Sequence, residues 1–243
     1  MSVNYATDGT SPTIAKYIAY DNLTPPNPFI ATVQDDRGNT LFDGGFPKRY
    51  NSNCKTEWAT YDDLDDTYKY LANALNWLAN PKKIEAGNKK FLFIGDVPTG
   101  SSYSIGGYRS DEFRKSIEKV CEVTGFIPTI IPLEVFPNRI ISLSYEELNQ
   151  YCGLFLMSGA YTSDKLIDDA TIFNITAFRE SGNGILLVTD HGNADGTMGF
   201  FRTANYIAAN LGVKFVGYYN RSPVNVGYLI DHYGYHPLWD NMS

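Results

Sequence analysis

The sequence is poor in cysteine, which excludes two classes of small stabilised fold. Its three cysteines, Cys54, Cys121 and Cys152, are too few and too scattered for a disulfide framework or a zinc site. Cys152 precedes an apolar run, so we expect it to be a small buried hydrophobic residue. This cysteine usage favours folding in a reducing cytoplasm.

The sequence also lacks long apolar runs and concentrated positive charge. No apolar run approaches the ~20 residues that a bilayer requires, and the N-terminus is polar, so we predict neither a membrane span nor a signal peptide. The formal net charge is −7, and no cluster of Lys and Arg is seen to mark a basic groove. We therefore expect neither nucleic acid nor a membrane surface as a partner.

Aromatic residues and glycine, by contrast, are plentiful. The chain contains 18 Tyr, 14 Phe and 21 Gly, and Asn is frequent. Tyr and Asn provide contact area and adaptable hydrogen bonds at modest entropic cost, which suits surfaces that meet other proteins. An unusual host composition would explain the same bias equally well.

The first part of the chain differs from the rest. Residues 24–28 form a Pro-rich segment, and the apolar stretches 29–33 and 40–42 flank a turn-rich break at residues 35–39. This pattern predicts an N-terminal arm with a β-hairpin over residues 1–55, followed by a separate domain over residues 56–243. We expect the arm to contact a protein partner or a second copy of the chain.

Residues 56–243 alternate between helical and strand patterns. An apolar stripe from Leu64 to Leu78 predicts a first helix that ends at Asn80-Pro81. Further helices are predicted to begin at Ser110, Ser144, Ser163 and Phe200, and strands are predicted at 91–94, 126–131, 154–157, 185–188 and 213–216. The fold class is therefore α/β, a three-layer, mostly parallel, flavodoxin-like sheet with a small N-terminal β arm.

The stretch 182–193 is the clearest part of this pattern. Residues 182–184 stop a helix, and residues 185–188 are apolar without alternation, as is typical of a central parallel strand. We therefore predict that Leu186 and Val188 are almost fully buried.

Polar residues follow three of the predicted strands. Because parallel strands end at one edge of the sheet, Asp96, Ser158, Asp190 and His191 are the candidate catalytic residues. His191 would act as a base and Ser158 as a nucleophile. However, Ser158 lacks the Gly-x-Ser-x-Gly elbow, and adjacent residues such as Asp190 and His191 rarely orient one another. We favour the alternative that these residues hydrogen-bond the following loop into shape.

Two further stretches are candidates for binding a phosphate or a metal ion. The loop 95–102 precedes a helix, but it has neither the Lys of a P-loop nor the spacing of a dinucleotide fingerprint. Asp190, His191 and Asp195 would need His232 or His236 from a separate segment to complete a metal site. A solvated loop explains both stretches better, so no cofactor and no metal is predicted.

Three stretches carry a resemblance to a known superfamily. Residues 153–159, residues 182–191 and His236-Pro237-Leu238-Trp239 resemble the class I glutamine amidotransferase-like (flavodoxin-like) superfamily, especially branches such as the trehalose-utilisation-like domains. The amidotransferases of this superfamily place a nucleophilic cysteine after the strand that matches residues 185–188. Asp190 and His191 stand there in this chain, so the resemblance implies the fold without glutaminase activity.

These observations together predict a non-catalytic binding or assembly module. The N-terminal arm and the composition also resemble phage virion proteins, particularly tail or fibre components, so incorporation into a virion is one form of this prediction. The alternative is a hydrolase or carbohydrate-active enzyme that uses the crevice around Asp190 and His191. Because no element closes residues 237–243, we expect a partner to complete this end of the domain.

Overall fold

The centre of the fold is a mixed seven-stranded sheet, seen in a computed structural model that describes residues 2–5, 15–20, 27–45, 59–98, 105, 111–217 and 235–242. The strands are β1 (Ser2–Tyr5), β2 (Lys16–Tyr20), β3 (Pro28–Val33), β4 (Thr40–Asp43), β5 (Lys90–Gly95), β6 (Ile127–Ile131), β7 (Gly153–Ser158), β8 (Gly184–Thr189) and β9 (Val213–Val216). The helices are α1 (Asp66–Leu78), α2 (Pro81–Glu85), α3 (Asp111–Thr124), α4 (Tyr145–Leu148), α5 (Asp169–Glu180) and α6 (Arg202–Ala208).

The sheet has the order β2-β3-β4-β8-β7-β5-β6. The strands from β4 to β6 in this order run parallel, whereas β2, β3 and β4 pair antiparallel. β8 lies between β4 and β7, and both Leu186 and Val188 are completely buried. The predicted α/β class and the predicted central strand are thereby confirmed.

Two apolar clusters cover the two faces of the sheet and make the fold three-layered. One cluster joins residues of α1 and α3, such as Leu71 and Ile117, to Leu186 and Val188. The other joins residues of α5 and α6 to Leu187 and its neighbours. Successive side chains of β8 alternate between these clusters, which is why its sequence is apolar without a polar face.

Side-chain caps fix where the helices begin. The Ser144–Glu147 capping box forms as predicted. The helix predicted from Ser163 begins instead at Asp169, because the carboxylate of Asp168 accepts the Thr171 N–H at 2.6 Å and caps it there. In the described ranges, the helices are all too short or too polar to cross a membrane.

Two glycines before β8 meet separate backbone requirements. Gly182 follows α5 with φ +91°, a conformation that favours glycine at a helix end. At Gly184 a Cβ would lie 2.2 Å from the carbonyl oxygen of Leu78, so α1 packs against bare backbone. The sequence pattern indicated the helix stop, but not this close approach.

The predicted N-terminal hairpin forms as β3 and β4, but it is part of the main sheet and not a separate arm. β4 pairs in parallel with β8, from Thr40 opposite Ile185 to Asp43 opposite Val188. The buried guanidinium of Arg179 on α5 donates to Thr40 and to Asp35. The predicted boundary at residue 55 therefore does not separate two cores, because strands from both sides of it share one sheet.

The fifth predicted strand lies outside the main sheet. β9 pairs antiparallel with β1 in a two-stranded sheet, with Ser2 opposite Val216 and Tyr5 opposite Val213. The α-helix predicted over residues 200–211 is shorter than expected. It runs from Arg202 to Ala208, and a 3₁₀ turn over Ala209–Leu211 completes the segment.

The C-terminal segment closes the chain's own core. We call residues 235–242 the C-terminal strap. Leu238 and Trp239 are buried in the same cluster as α1. The side-chain amide of Asn73 donates to the carbonyls of Leu238 and Asp240 at 3.1 and 2.9 Å. These contacts hold the strap on the chain's own core, and the expected contact of this end with a partner stays a prediction.

Candidate functional site

Four neighbouring strands end side by side at one edge of the sheet, which we call the strand-end edge. Asp43 ends β4 and Ser158 ends β7, while Asp96 and Asp190 directly follow β5 and β8. Ligand crevices of parallel sheets form at this edge. The structure therefore brings all the predicted site residues to one edge and adds Asp43 to them.

Asp96 is completely buried and accepts hydrogen bonds from three donors. The N–H groups of Gly159 and Ala160 donate to its Oδ1 at 2.6 and 2.9 Å, and the Ser158 hydroxyl donates to its Oδ2 at 3.1 Å. Burial raises the pKa of the Asp96 carboxyl to about 6, although the nearby Thr203 hydroxyl and these three donors favour the charged form. The carboxyl group thus ties the end of β5 to the turn after β7.

Ser158 is bonded into the structure and is not placed as an exposed nucleophile. Its side chain is fully buried, and its hydroxyl also accepts the N–H of Ala204 on α6 at 3.3 Å. A nucleophilic hydroxyl needs a base that removes its proton and an open path for the substrate. Ser158 instead links β7 to α6 and to Asp96, in keeping with its lack of an elbow motif.

Asp190 and His191 form a second hydrogen-bonded pair. Oδ1 of Asp190 accepts the backbone N–H of His191 at 2.7 Å and lies 3.0 Å from Nδ1 of the imidazole. Asp190 is nearly buried, whereas the His191 side chain is 31% exposed. A carboxylate at Nδ1 favours the tautomer with its proton on that nitrogen. Adjacent residues therefore do orient one another here, which the sequence analysis considered rare.

Aromatic side chains stand next to this pair. The ring of Phe200 lies 5.0 Å from the imidazole of His191 and 5.0 Å from the ring of Tyr161, edge to face in both cases. Tyr161 is 50% exposed. An exposed aromatic ring beside polar groups is a common element of binding surfaces.

The loop after His191 is held by its own residues. The carboxylate of Asp195 accepts the N–H and the hydroxyl of Thr197, and the side chain of Asn193 bonds Thr197 and the N–H of Met198. At Gly192 a Cβ would lie 2.3 Å from the Phe201 ring, so the loop passes close to α6. These local bonds are of the kind that the sequence analysis favoured for this loop.

The two binding alternatives gain no support at this edge. Within the described ranges, no group of three or more His, Cys, Asp and Glu side chains could hold a metal ion. Asp195 bonds Thr197, His236 packs against Trp77 of α1, and His232 lies outside the described residues. Of the loop 95–102, residues 99–102 also lie outside the described residues, while Asp96 and Val97 are buried.

Asp43 is the strand-end residue that the sequence analysis missed. It is fully buried, accepts the Tyr70 hydroxyl at 3.0 Å and accepts the N–H of Gly45 at 2.8 Å. An apolar run ending in Asp-Gly-Gly was visible in the sequence, and it matches the run ending before Asp190-His191-Gly192. The sequence pattern predicts a separate arm that includes residues 40–43 and therefore does not place Asp43 at this edge.

The two cysteines in the described residues offer no exposed thiol for the chemistry of the amidotransferases. Cys121 and Cys152 are fully buried, and burial raises the pKa of the Cys152 thiol to about 11. Cys54 lies outside the described residues. Among the described residues, the position after β8 carries Asp190 and His191 in place of a thiol.

The site therefore consists of two hydrogen-bonded pairs, one buried and one partly exposed, at the end of a mixed sheet. Comparisons with protein-family models, with curated proteins and with solved structures found no match for the chain.

Proposed function

We propose that the chain is a non-catalytic binding and assembly module. The observation that carries this proposal is the bonding of Asp96 and Ser158, an acid and a hydroxyl that lie in contact among the candidate residues. Both are completely buried; the Ser158 hydroxyl and the Gly159 N–H donate to Asp96, and the Ala204 N–H donates to Ser158. Groups bonded in this way hold loops in place and present no reactive atom to a substrate.

The surface best suited to a partner lies beside His191. Tyr161 is 50% exposed and Met198 is 42% exposed, and Tyr161 packs on the Phe200 ring. Aromatic residues and Met are enriched where proteins meet, because they combine large contact area with adaptable shape. We assign partner binding at the strand-end edge to this aromatic surface, which consists of Tyr161, His191, Met198 and Phe200.

The N-terminal region contributes to partner binding in a narrower way than a free arm would. β3 and β4 are paired on both sides within the main sheet, whereas β2 is paired on one side only, so we assign contact with another chain to the outer edge of β2. The abundance of Tyr, Phe and Gly supports a structural component of a phage particle as the form this function takes.

A substrate screen paired with a binding measurement tests the proposal. We expect the intact protein to leave ester, glycoside, amide and phosphate substrates unchanged, and Tyr161→Ala to weaken binding of the native partner without lowering the melting temperature. Phe173→Ala is the matched control, because Phe173 is 72% exposed on α5 and outside the aromatic surface. Substrate turnover by the intact protein would contradict the proposal.

A second candidate function rests on the contact between Asp190 and His191. With Asp190 Oδ1 at 3.0 Å from Nδ1, the imidazole is oriented as it is in hydrolases that activate water. This alternative, a hydrolase or carbohydrate-active enzyme, requires turnover that His191→Ala lowers by a factor of ~10²–10⁴. If that loss occurs while the far-ultraviolet circular dichroism spectrum and the assembly state are unchanged, the enzyme is the better assignment.

A further inference from the structure

A cluster of lysines surrounds a shallow cavity at the edge where the parallel strands begin. Four of the chain's 20 basic residues lie within residues 82–90, and Lys82, Lys89 and Lys90 are exposed. The cavity has a volume of 250 Å³ and is lined by Ala86, Gly87, Asn88, Lys89, Lys90, Ile127 and Gln150. We call the three lysines and this cavity the basic patch. The expectation that no cluster of Lys and Arg marks a basic groove does not hold for this segment.

The three lysines of this patch form no ion pairs within the described residues, and the segment that carries them adds one exposed negative charge at Glu85. Lys83, in contrast, donates to the carbonyls of Asn149 and Tyr151 at 2.7 and 2.8 Å and so anchors the segment to the loop before β7. The patch is therefore held firmly while three positive charges point outward.

The floor of the patch is apolar. Ile127, the first residue of the edge strand β6, is 56% exposed. Beside it, Gly87 has nothing within 4 Å of where a Cβ would lie, so the cavity is open at that point. An apolar centre with a charged rim is the arrangement found at interfaces between proteins.

A complementary acidic surface precedes α1. The side chains of Asp62, Asp63 and Asp65 are exposed, and we call these three residues the acidic segment. Asp63 accepts the N–H groups of Ala59 and Thr60, and these hydrogen bonds, led by the one from Thr60, lower the pKa of its carboxyl. Asp65 accepts the Tyr68 N–H at 3.3 Å as the cap of α1. The segment is thus charged and fixed in shape.

The basic patch and the acidic segment lie at opposite ends of the molecule. α1 starts near the strand-end edge, where Tyr70 reaches Asp43, and finishes near the strand starts, where the N–H of Asn80 donates to Cys152. Its 13 residues span roughly 20 Å. Two different complementary surfaces at opposite ends produce a head-to-tail contact, not a twofold one.

We propose that the basic patch binds the acidic segment of a second copy of this chain, so that copies associate head to tail. The inference rests on the proposed assembly function and names its partner. A polyanion such as nucleic acid fits the patch less well, because it extends over the rest of a molecule whose net charge is −7. Repulsion between two whole copies is screened beyond ~8 Å at physiological salt, whereas patches in contact are screened little.

Sedimentation velocity of the full-length chain over a concentration series tests this proposal. We expect oligomers that grow with concentration and that weaken as sodium chloride is raised. Lys89→Glu, and separately Lys90→Glu, should raise the dissociation constant about tenfold, because attraction is lost and repulsion is gained. Arg114→Glu is the matched control, since it makes the same change in charge on α3 and should leave association as it is.

Mixing two variants tests the head-to-tail arrangement. Lys89→Glu retains a native acidic segment, and Asp62→Lys retains a native basic patch, so each variant alone should associate poorly. Their equimolar mixture should form dimers, because one native patch then meets one native segment. Thermal melting of each variant checks that the fold is intact.

Three results would overturn the inference. They are a wild-type chain that stays monomeric at every concentration, association that the Lys→Glu variants leave unchanged, and a mixture that does not dimerise. None of these results touches the proposed binding function, which the substrate screen and the Tyr161→Ala variant test separately. Self-association can therefore fail while a non-catalytic module that binds another protein remains.

Discussion

At the scale of the residue, the three aspartates at the strand-end edge have different surroundings and therefore different roles. Asp43 accepts a phenol and a backbone N–H, Asp96 accepts two backbone N–H groups and a buried hydroxyl, and Asp190 orients an imidazole. Only Asp190 has an exposed ring as its partner. Each carboxylate lies at this edge because it stands at the end of a strand in the sequence. Its role, structural or orienting, depends on the hydrogen-bond donors around it.

We predict that Asp96 makes the free energy of unfolding depend on pH. Its folded pKa of about 6 is above the ordinary value of 3.8, so the folded state binds the proton more tightly than the unfolded state does. The stabilising contribution is therefore complete below pH 3.8 and is lost as the pH rises through 6. Relative to Asp96→Asn, the wild type should lose about 3 kcal/mol between those values, measured by urea unfolding.

The comparison of the wild type with Asp96→Asn has an internal baseline at low pH. The unfolding free energies of the two proteins at pH 3 set the baseline, since Asp96 is then largely protonated in both the folded and the unfolded state, like the neutral asparagine. A difference that stays constant from pH 4 to pH 7 would mean that Asp96 is ionised throughout and that its three donors outweigh burial.

We predict that His236 in the C-terminal strap gives the free energy of unfolding a pH dependence of the opposite sign to that of Asp96. Burial lowers its pKa to about 4, Lys16 adds to this lowering, and Asp240 opposes it. Because the unfolded imidazole has a pKa near 6.5, the contribution to stability is complete above 6.5 and is lost as the pH falls towards 4. The loss should reach about 3 kcal/mol for this nearly buried ring.

The variant His236→Asn isolates this effect. Nδ1 of His236 accepts the Leu238 N–H at 3.3 Å, and asparagine can accept the same bond without titrating. Between pH 4 and pH 7, the free energy of unfolding should therefore change less with pH in the variant than in the wild type. Equal slopes for both proteins would show that the imidazole is hydrated when folded.

At the scale of the element, local sequence patterns predict a strand or a helix correctly where its formation depends on residues close in the chain. The apolar runs of β5, β7 and β8 and the capping box at Ser144 were predicted correctly, because burial on two faces and end capping leave direct marks in sequence. The start of α5 was missed because Ser163 and Asp168 are both acceptable caps. Which of them is used depends on packing that the sequence does not display.

Arg179 illustrates an element held by distant residues. Its buried side chain joins α5 to the β3–β4 hairpin through Thr40 and Asp35 at 2.8 and 2.9 Å. Arg179→Ala should lower the free energy of unfolding by about 3 kcal/mol, because it leaves Thr40 and Asp35 without a buried donor. Guanidinium chloride unfolding measures this loss.

Arg37→Ala is the control, because Arg37 pairs with the same Asp35 at 3.1 Å but is 42% exposed. An exposed ion pair contributes at most about 1 kcal/mol, so this variant should be close to wild type. Equal losses in the two variants would show that the effect comes from Asp35 alone and not from the buried guanidinium.

At the scale of the whole molecule, the sequence predicted the layers but not the membership of the sheet. The rule that parallel strands end at one edge brought Asp96, Ser158 and Asp190 together. It could not show that Ser158 is buried under α6, since that depends on how loops close over the edge. It also missed Asp43, because the pairing of β4 with β8 joins residues more than 140 positions apart and leaves no local mark.

The long-range pairing of β4 leads to the last prediction, which concerns removal of residues 1–50. This deletion takes away β1, β2, β3 and β4, so β8 and β9 each lose a paired neighbour. Leu41 and Phe42, both completely buried, disappear from opposite faces of the sheet, and Arg179 is left buried without Thr40 and Asp35. We expect residues 51–243 alone to show no cooperative thermal transition and no near-ultraviolet circular dichroism.

Deleting residues 1–5 is the control, since it removes only β1 from the separate two-stranded sheet and should leave the transition in place. Cooperative melting of residues 51–243 near the temperature of the full chain would mean that the hairpin is an appendage after all, and that its pairing with β8 contributes little to the stability of the sheet.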